Sequence, residues 1–136
     1  MAKILIVEDN ALNIKLFCDL LAAHGHQPEA VTDSRNALDA AREFSPDLVI
    51  TDIQLPHVSG LELIRLIRND EQLGQVPIMA VTAYSTSEDE ERIRAAGAQA
   101  YVSKPISVVR FAETVDELLA GKDEPALSDA PSSPRT

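Results

Sequence analysis

Short apolar runs that close on polar residues punctuate the chain. Lys3-Ile4-Leu5-Ile6-Val7 ends in Glu8-Asp9, Asp47-Leu48-Val49-Ile50-Thr51 in Asp52, and Pro77-Ile78-Met79-Ala80-Val81 in Thr82. Runs of this length without alternation predict strands buried on both faces, as in a parallel sheet. A fourth run, Ala100-Tyr101-Val102-Ser103, leads into Lys104-Pro105, and Glu29-Ala30-Val31 predicts a weaker strand. Between the runs, apolar residues return at helical spacing. Leu12, Leu16, Phe17, Leu20 and Leu21 predict a helix capped by Asn10 and stopped by Gly25. Asp33 or Ser34 opens a short helix through Leu38, Ala41 and Arg42, and Ser59 precedes one with Leu61, Ile64 and Ile67 that ends near Asn69-Asp70. Ser87-Glu88-Asp89-Glu90 reads as a capping box opening a fourth helix with little apolar surface and Gly97 beyond its end. The last helix begins near Ser107 and places Val108, Phe111, Ala112, Val115, Leu118 and Leu119 on a core-facing stripe.

Strand and helix therefore alternate through five βα units, which demands parallel strands joined by right-handed crossovers. The expected fold is α/β, a doubly wound five-stranded parallel sheet. In the order 2-1-3-4-5, strands one and three are neighbours at the switch point where such sheets bind ligands. Residues 1–121 form one domain. From Lys122 the composition shifts to Pro, Ser, Asp and Ala with Leu127 as the one large apolar residue, so residues 122–136 are expected to be a disordered tail.

Charge and composition narrow the function. A formal net charge of -10 repels a phosphate backbone or an anionic bilayer, which argues against nucleic acid as a partner. No apolar stretch reaches the roughly 18 residues of a membrane span, and the first strand begins without a signal-peptide pattern. The single Cys18 lies within an amphipathic pattern and has no internal disulfide partner, which fits a reducing compartment and buried or semi-buried filler. A cytoplasmic protein is expected. Neither a Walker-type loop nor a Gly-x-Gly-x-x-Gly stretch is present, which disfavours nucleotide binding.

The strand ends carry the chemistry. Glu8, Asp9 and Asp52 converge at one rim, and carboxylates sharing a crevice repel one another unless a cation compensates. Hard oxygen ligands with open positions suit Mg²⁺. Thr82 offers a hydroxyl and Lys104 a movable point charge, both matched to the oxygens of a phosphoryl group. With Asp52 as nucleophile, the set describes a phosphoryl-transfer site in which positioning and electrostatics act together.

These residues resemble the receiver domains of two-component response regulators over residues 1–121. The matching stretches are Ile6-Val7-Glu8-Asp9-Asn10, Asp52-Ile53-Gln54-Leu55-Pro56 with Gly60, Val81-Thr82-Ala83, and Lys104-Pro105. The resemblance implies a flavodoxin-like, CheY-like fold. It implies that Asp52 accepts phosphate from a histidine kinase or a histidine phosphotransferase, and that Asp9, Asp52 and the backbone carbonyl of Gln54 ligate Mg²⁺. Glu8 would act through a metal-bound water. Thr82 would swing toward the phosphoryl group while Tyr101 changes orientation. A narrower likeness, to single-domain regulators of cell division, rests on Asn10-Ala11-Leu12-Asn13-Ile14-Lys15-Leu16-Phe17, Asp89-Glu90-Glu91-Arg92-Ile93-Arg94 and Ser103-Lys104-Pro105-Ile106-Ser107-Val108-Val109.

Rival readings lack a residue each. A haloacid-dehalogenase-like phosphatase needs a second acid two residues after the nucleophile, where this chain has Gln54. A flavin carrier needs a phosphate-binding loop after the first strand, where Glu8-Asp9 would repel the phosphate. A degenerate receiver acting only as an interaction module would not need the full acidic set with Thr82 and Lys104. His24, His26 and His57 have no metal-ligand spacing, and Glu88-Asp89-Glu90-Glu91 reads as a solvated helix start. Gln54 and Tyr84, each two residues past a site residue, are expected to flank the path of water to a phosphoryl-aspartate and so to set its lifetime. With no effector domain expected, the phosphorylated state is either read by a downstream protein or passed onward as phosphate between histidine proteins.

Overall fold

The computed structural model describes residues 2–83 and 86–123, with the side chains of all but 121–123. Five strands and five α-helices alternate: β1 (Lys3–Val7), α1 (Ala11–Ala23), β2 (Gln27–Val31), α2 (Ala37–Phe44), β3 (Leu48–Asp52), α3 (Gly60–Arg68), β4 (Ile78–Thr82), α4 (Ser87–Ala96), β5 (Ala100–Ser103) and α5 (Val108–Asp123). The strands are parallel in the order β2-β1-β3-β4-β5. That is the doubly wound architecture the patterning predicts.

Successive strand residues point to opposite faces, and the apolar runs supply both. Leu5, Val7, Val49, Ile78 and Ala80 pack with Ala37, Ala41, Leu63, Ile64, Ile67, Ile93 and Ala96 of α2, α3 and α4. On the other face, Ile4, Ile6, Leu48, Ile50, Met79, Val81 and Val102 meet Phe17 and Leu21 of α1 and Phe111 and Val115 of α5. The Phe17 and Phe111 rings stack with centroids 5.1 Å apart. Each fully buried side chain of this size contributes about 1.5–3 kcal/mol, so the two layers hold the central strands rigidly. All five residues of β3 are buried, Asp52 among them. Among the described residues, no helix is long and apolar enough to cross a membrane.

Several elements differ in detail from the sequence reading. β2 begins at Gln27 rather than Glu29 and contains Pro28, which an edge strand tolerates because one side of its backbone faces away from the sheet. The short helix after it is divided into a 3₁₀ turn over Ser34–Asn36 and then α2, ending at Ser45 in the left-handed region. α4 is capped by Thr86 and not by Ser87. The Thr86 hydroxyl accepts from the Asp89 N–H at 3.1 Å, because Thr86 has the extended backbone a cap needs whereas Ser87 is already helical. Leu12 and Val108 are exposed rather than in the core. Each lies in the first turn of its helix, one turn or so ahead of the first buried residue, Phe17 in α1 and Phe111 in α5. The tail expected over 122–136 is described only as far as Asp123, within α5; residues 124–136 and Tyr84 lie outside the described residues.

Candidate functional site

The strand register builds the site. Val7 lies opposite Thr51, Asp52 opposite Val81, and Thr82 opposite Ser103. Glu8 and Lys104, one residue past their strands, therefore reach the same rim as Asp52 and Thr82. Asp52 is 3% exposed and both of its oxygens are held: Oδ1 accepts from the Gln54 N–H at 2.9 Å, and Oδ2 accepts from Lys104 Nζ at 2.8 Å. The Lys104 N–H donates to the Thr82 carbonyl at 2.8 Å, which fixes the root of the lysine, and the Lys104–Pro105 bond is cis. Thr82 is buried at the end of β4.

Glu8 is positioned by the start of α1. Asn10 caps that helix by accepting from the Asn13 N–H at 3.0 Å, and its own N–H donates to Glu8 Oε2 at 3.1 Å. Glu8 Oε1 is buried and has no hydrogen-bond partner among the described residues. Burial, followed by the charge of Asp52, pushes the Glu8 carboxyl up to about 7. Burial pulls the Lys104 ammonium down, but the hydrogen bond and charge of Asp52, with Glu8 and Asp9 behind them, leave it above its ordinary value.

One oxygen each from Glu8, Asp9 and Asp52 can be drawn within 4.8 Å of the others. Three carboxylates against one ammonium leave a formal excess of two negative charges in the crevice, which one divalent cation cancels. The buried Glu8 Oε1 has no hydrogen-bond partner among the described residues, and Glu8 offers an oxygen beside those of Asp9 and Asp52, so the donor set fits a hard cation. Asp9 is the exposed member of the three.

Every side chain named from the strand ends is thus at one rim. Cys18 is half-buried in α1, away from the rim, and burial pushes its thiol up. His57 lies on the loop after Asp52 with φ of 70°. Sequence reasoning missed one contributor, the backbone N–H of Asn10 on Glu8. An open groove of about 560 Å³ lined by Pro46, Gln72, Val76, Pro77 and Gln99 lies at the opposite end of the sheet, among the strand starts. None of the acidic set reaches it.

Comparison with known proteins agrees with this geometry. The chain is 53% identical over 116 residues to the polar-differentiation response regulator DivK of Brucella ovis, covering 85% of this chain and 94% of that one. Among solved structures, the chemotaxis protein CheY4 of Vibrio cholerae is 27% identical with a TM-score of 0.82, covering 87% of this chain and 98% of its own. The receiver domain of a Pseudomonas aeruginosa sensor histidine kinase, with a magnesium ion coordinated in its active-site cleft, is 29% identical with a TM-score of 0.81, covering 88% and 98%. Residues 4–116 match the response regulator receiver domain as a family. Strand order, acidic crevice and sequence agree, and the chain belongs to the response regulator receiver domain family.

Proposed function

We propose that Asp52 takes a phosphoryl group from a histidine kinase or histidine phosphotransferase in a Mg²⁺-dependent reaction, and that the phosphorylated chain signals by binding a downstream protein. The observation that carries this reading is the pair of fixed contacts on Asp52, Gln54 N–H on Oδ1 and Lys104 Nζ on Oδ2, within a crevice that also holds Glu8 and Asp9. They present a carboxylate oxygen to an incoming phosphorus. An Asp52 oxygen forms the new P–O bond as the donor's P–N bond breaks, and the imidazole nitrogen leaves with the electron pair.

Asp9, Asp52 and the Gln54 carbonyl would hold Mg²⁺, with Glu8 behind them. When bound, the ion offsets the charge of the phosphoryl oxygens and of the carboxylates around them. Lys104 then transfers its contact from Asp52 to a phosphoryl oxygen, and the Thr82 hydroxyl donates to another. The Brucella relative is named for polar differentiation, and the 53% identity supports the cell-division role that the sequence resemblance implies for this chain.

Incubation with acetyl phosphate tests the reading. One phosphoryl group per chain is expected with Mg²⁺ present, mapped to Asp52 by peptide mass spectrometry, and none in excess chelator. Uptake without the ion, or at another residue, would overturn it. Asp9→Asn is expected to weaken Mg²⁺ binding on the order of tenfold or more, the effect of losing one charge-assisted contact of about 1.5–3 kcal/mol. Calorimetric titration of the unphosphorylated protein checks this, and equal affinity would remove Asp9 from the ligand set.

The output surface follows from how α4 is held. It buries only Ile93 and Ala96, and it is tied to β5 by polar contacts. Glu90 Oε1 accepts from the Tyr101 hydroxyl at 3.3 Å, Glu90 Oε2 accepts from Arg94 Nε at 3.2 Å, and Arg94 lies over the Tyr101 ring. So lightly anchored an element can shift between two arrangements. Tyr101→Ala is expected to keep Mg²⁺-dependent phosphorylation while losing most of the phosphorylation-dependent gain in partner affinity, a gain of roughly 5- to 150-fold for coupling of typical size. Titration of a candidate kinase with phosphorylated and unphosphorylated forms measures that gain. If it is undiminished in the variant, Tyr101 is not on the coupling route.

A further inference from the structure

We infer that Ser34, on the connection between β2 and α2 and outside the acidic set, is a positioning residue for the loop that holds Asp52. The inference rests on the proposed phosphoacceptor role of Asp52. Residues 53–59 carry the chain from the nucleophile to α3, and the ends of this loop are fixed by backbone bonds. The Ile53 N–H donates to the Val81 carbonyl at 2.9 Å, and the Gly60 N–H donates to the Ile53 carbonyl at 2.9 Å. Between those ends, among the described residues, Gln54 to Val58 make no backbone-to-backbone hydrogen bond.

The Ser34 hydroxyl fills that gap. It donates to the Pro56 carbonyl at 2.8 Å and accepts from the Val58 N–H at 3.1 Å. Between those two residues lies His57 at φ 70°, a left-handed backbone that few side chains adopt readily. A hydroxyl is the smallest side-chain group that donates and accepts at once, so a single oxygen closes the turn around His57. Ser34 is 4% exposed, which leaves little room for water to take its place. Its direction is set by the 3₁₀ turn that carries it, where Asp33 Oδ1 accepts from the Arg35 N–H at 2.9 Å and the Asn36 N–H donates to the Asp33 carbonyl at 2.9 Å.

The clamp reaches the chemistry through two residues of backbone. Pro56 follows Gln54 by two positions, and the Gln54 N–H holds Asp52 Oδ1. The Gln54 carbonyl, proposed to face the ion, is part of the same short segment. A loop fixed at its centre presents both groups ready-made, whereas a loose one must be ordered when the ion binds, which weakens the ion's affinity.

Three variants test this: Ser34→Ala, which removes the hydroxyl; Ser34→Cys, whose thiol is a weaker hydrogen-bonding group; and Ser34→Thr, which keeps the hydroxyl. In Ser34→Ala, amide exchange at Val58 in the metal-free protein is expected to accelerate about tenfold, and Mg²⁺ affinity measured by calorimetry to fall about 3- to 10-fold. The rate of uptake from acetyl phosphate at saturating Mg²⁺ is expected to stay near wild type. Ser34→Cys should fall between and provides the measurement if Ser34→Ala does not fold, while Ser34→Thr should return both readouts toward wild type. A folded Ser34→Ala or Ser34→Cys with wild-type Mg²⁺ affinity and Val58 exchange overturns the clamp while leaving the site reading intact. A wild-type protein that binds no Mg²⁺ overturns the site reading and the inference with it.

Discussion

Asp52→Asn is expected to abolish phosphoryl uptake from acetyl phosphate and from any histidine donor, because the amide that replaces the carboxylate is a poor nucleophile. Elsewhere the crevice is rich in carboxylates, so the loss discriminates among them. Glu8 is buried with one oxygen already engaged by Asn10, and among the described residues the lysine contact at the rim goes to Asp52 and not to Asp9. The change should not unfold the chain. At an effective dielectric of 20, each like charge within 4.8 Å costs at least about 3 kcal/mol and an ammonium at 2.8 Å returns about 6 kcal/mol, before solvent screening of the exposed Asp9 and partly exposed Lys104 reduces both. Removing the Asp52 charge relieves repulsion from its acidic neighbours and forfeits the Lys104 pair, and these effects oppose one another. Stability is expected to stay within about 2 kcal/mol of wild type, by the partial cancellation seen when buried pairs are replaced. Intact-mass spectrometry with a urea unfolding curve decides: a folded variant that still gains one phosphate at the wild-type rate would place the nucleophile elsewhere.

The central strands were legible because β1, β3 and β4 are buried on both faces, and no surface requirement dilutes their apolar runs. The carboxylates were legible for a related reason. A buried polar group at the end of an apolar strand is costly unless it is partnered, and β1, β3 and β4 delivered Glu8, Asp52 and Thr82 at their ends. The helix starts were harder. Thr86-Ser87-Glu88-Asp89-Glu90 contains two overlapping capping patterns one residue apart, and only the extended backbone at Thr86 selects between them. Leu12 and Val108 have the right spacing for the core, but spacing fixes an azimuth around the helix and says nothing of where along the helix burial begins. Ser34 left no signal as a site residue. It stands 18 residues before Asp52, in a turn where serine is ordinary, and its role appears only when the crossover brings it against Pro56 and Val58.

Gly60→Ala is expected to be the most destabilising single-methyl change at the site, through a clash that no rotamer can relieve. A Cβ at Gly60 would overlap the Asp52 carbonyl oxygen, and it would stand 2.5 Å from Ile53 Cα and 2.9 Å from the Asp52 carbonyl carbon. All three atoms are backbone, so either the end of β3 or the first turn of α3 must shift. A shift of either strains the Gly60 N–H bond to the Ile53 carbonyl, in a position that is itself buried. Two effects favour alanine: a better helix propensity, worth about 1 kcal/mol in a helix interior and less at this first position, and a less flexible unfolded chain, worth about 0.4–1 kcal/mol where the native backbone is unstrained. Against them stand overpacking of about 1–3 kcal/mol or more and a strained buried hydrogen bond of about 1–3 kcal/mol, and backbone atoms yield less than side chains. A net loss of about 1–3 kcal/mol is expected, read as a lower urea midpoint at unchanged slope. The chemistry should suffer beyond the stability loss. The displaced atoms are the carbonyl of the nucleophile and the residue before Gln54, whose N–H orients Asp52 Oδ1. Misplacement of reacting groups by about 1 Å can cost on the order of 10²-fold in rate, so phosphorylation of the folded variant should slow by tenfold or more. A Gly60→Ala protein with the wild-type urea midpoint and the wild-type rate would mean that β3 and α3 can part without disturbing Asp52, and that the close approach at Gly60 is incidental to the site.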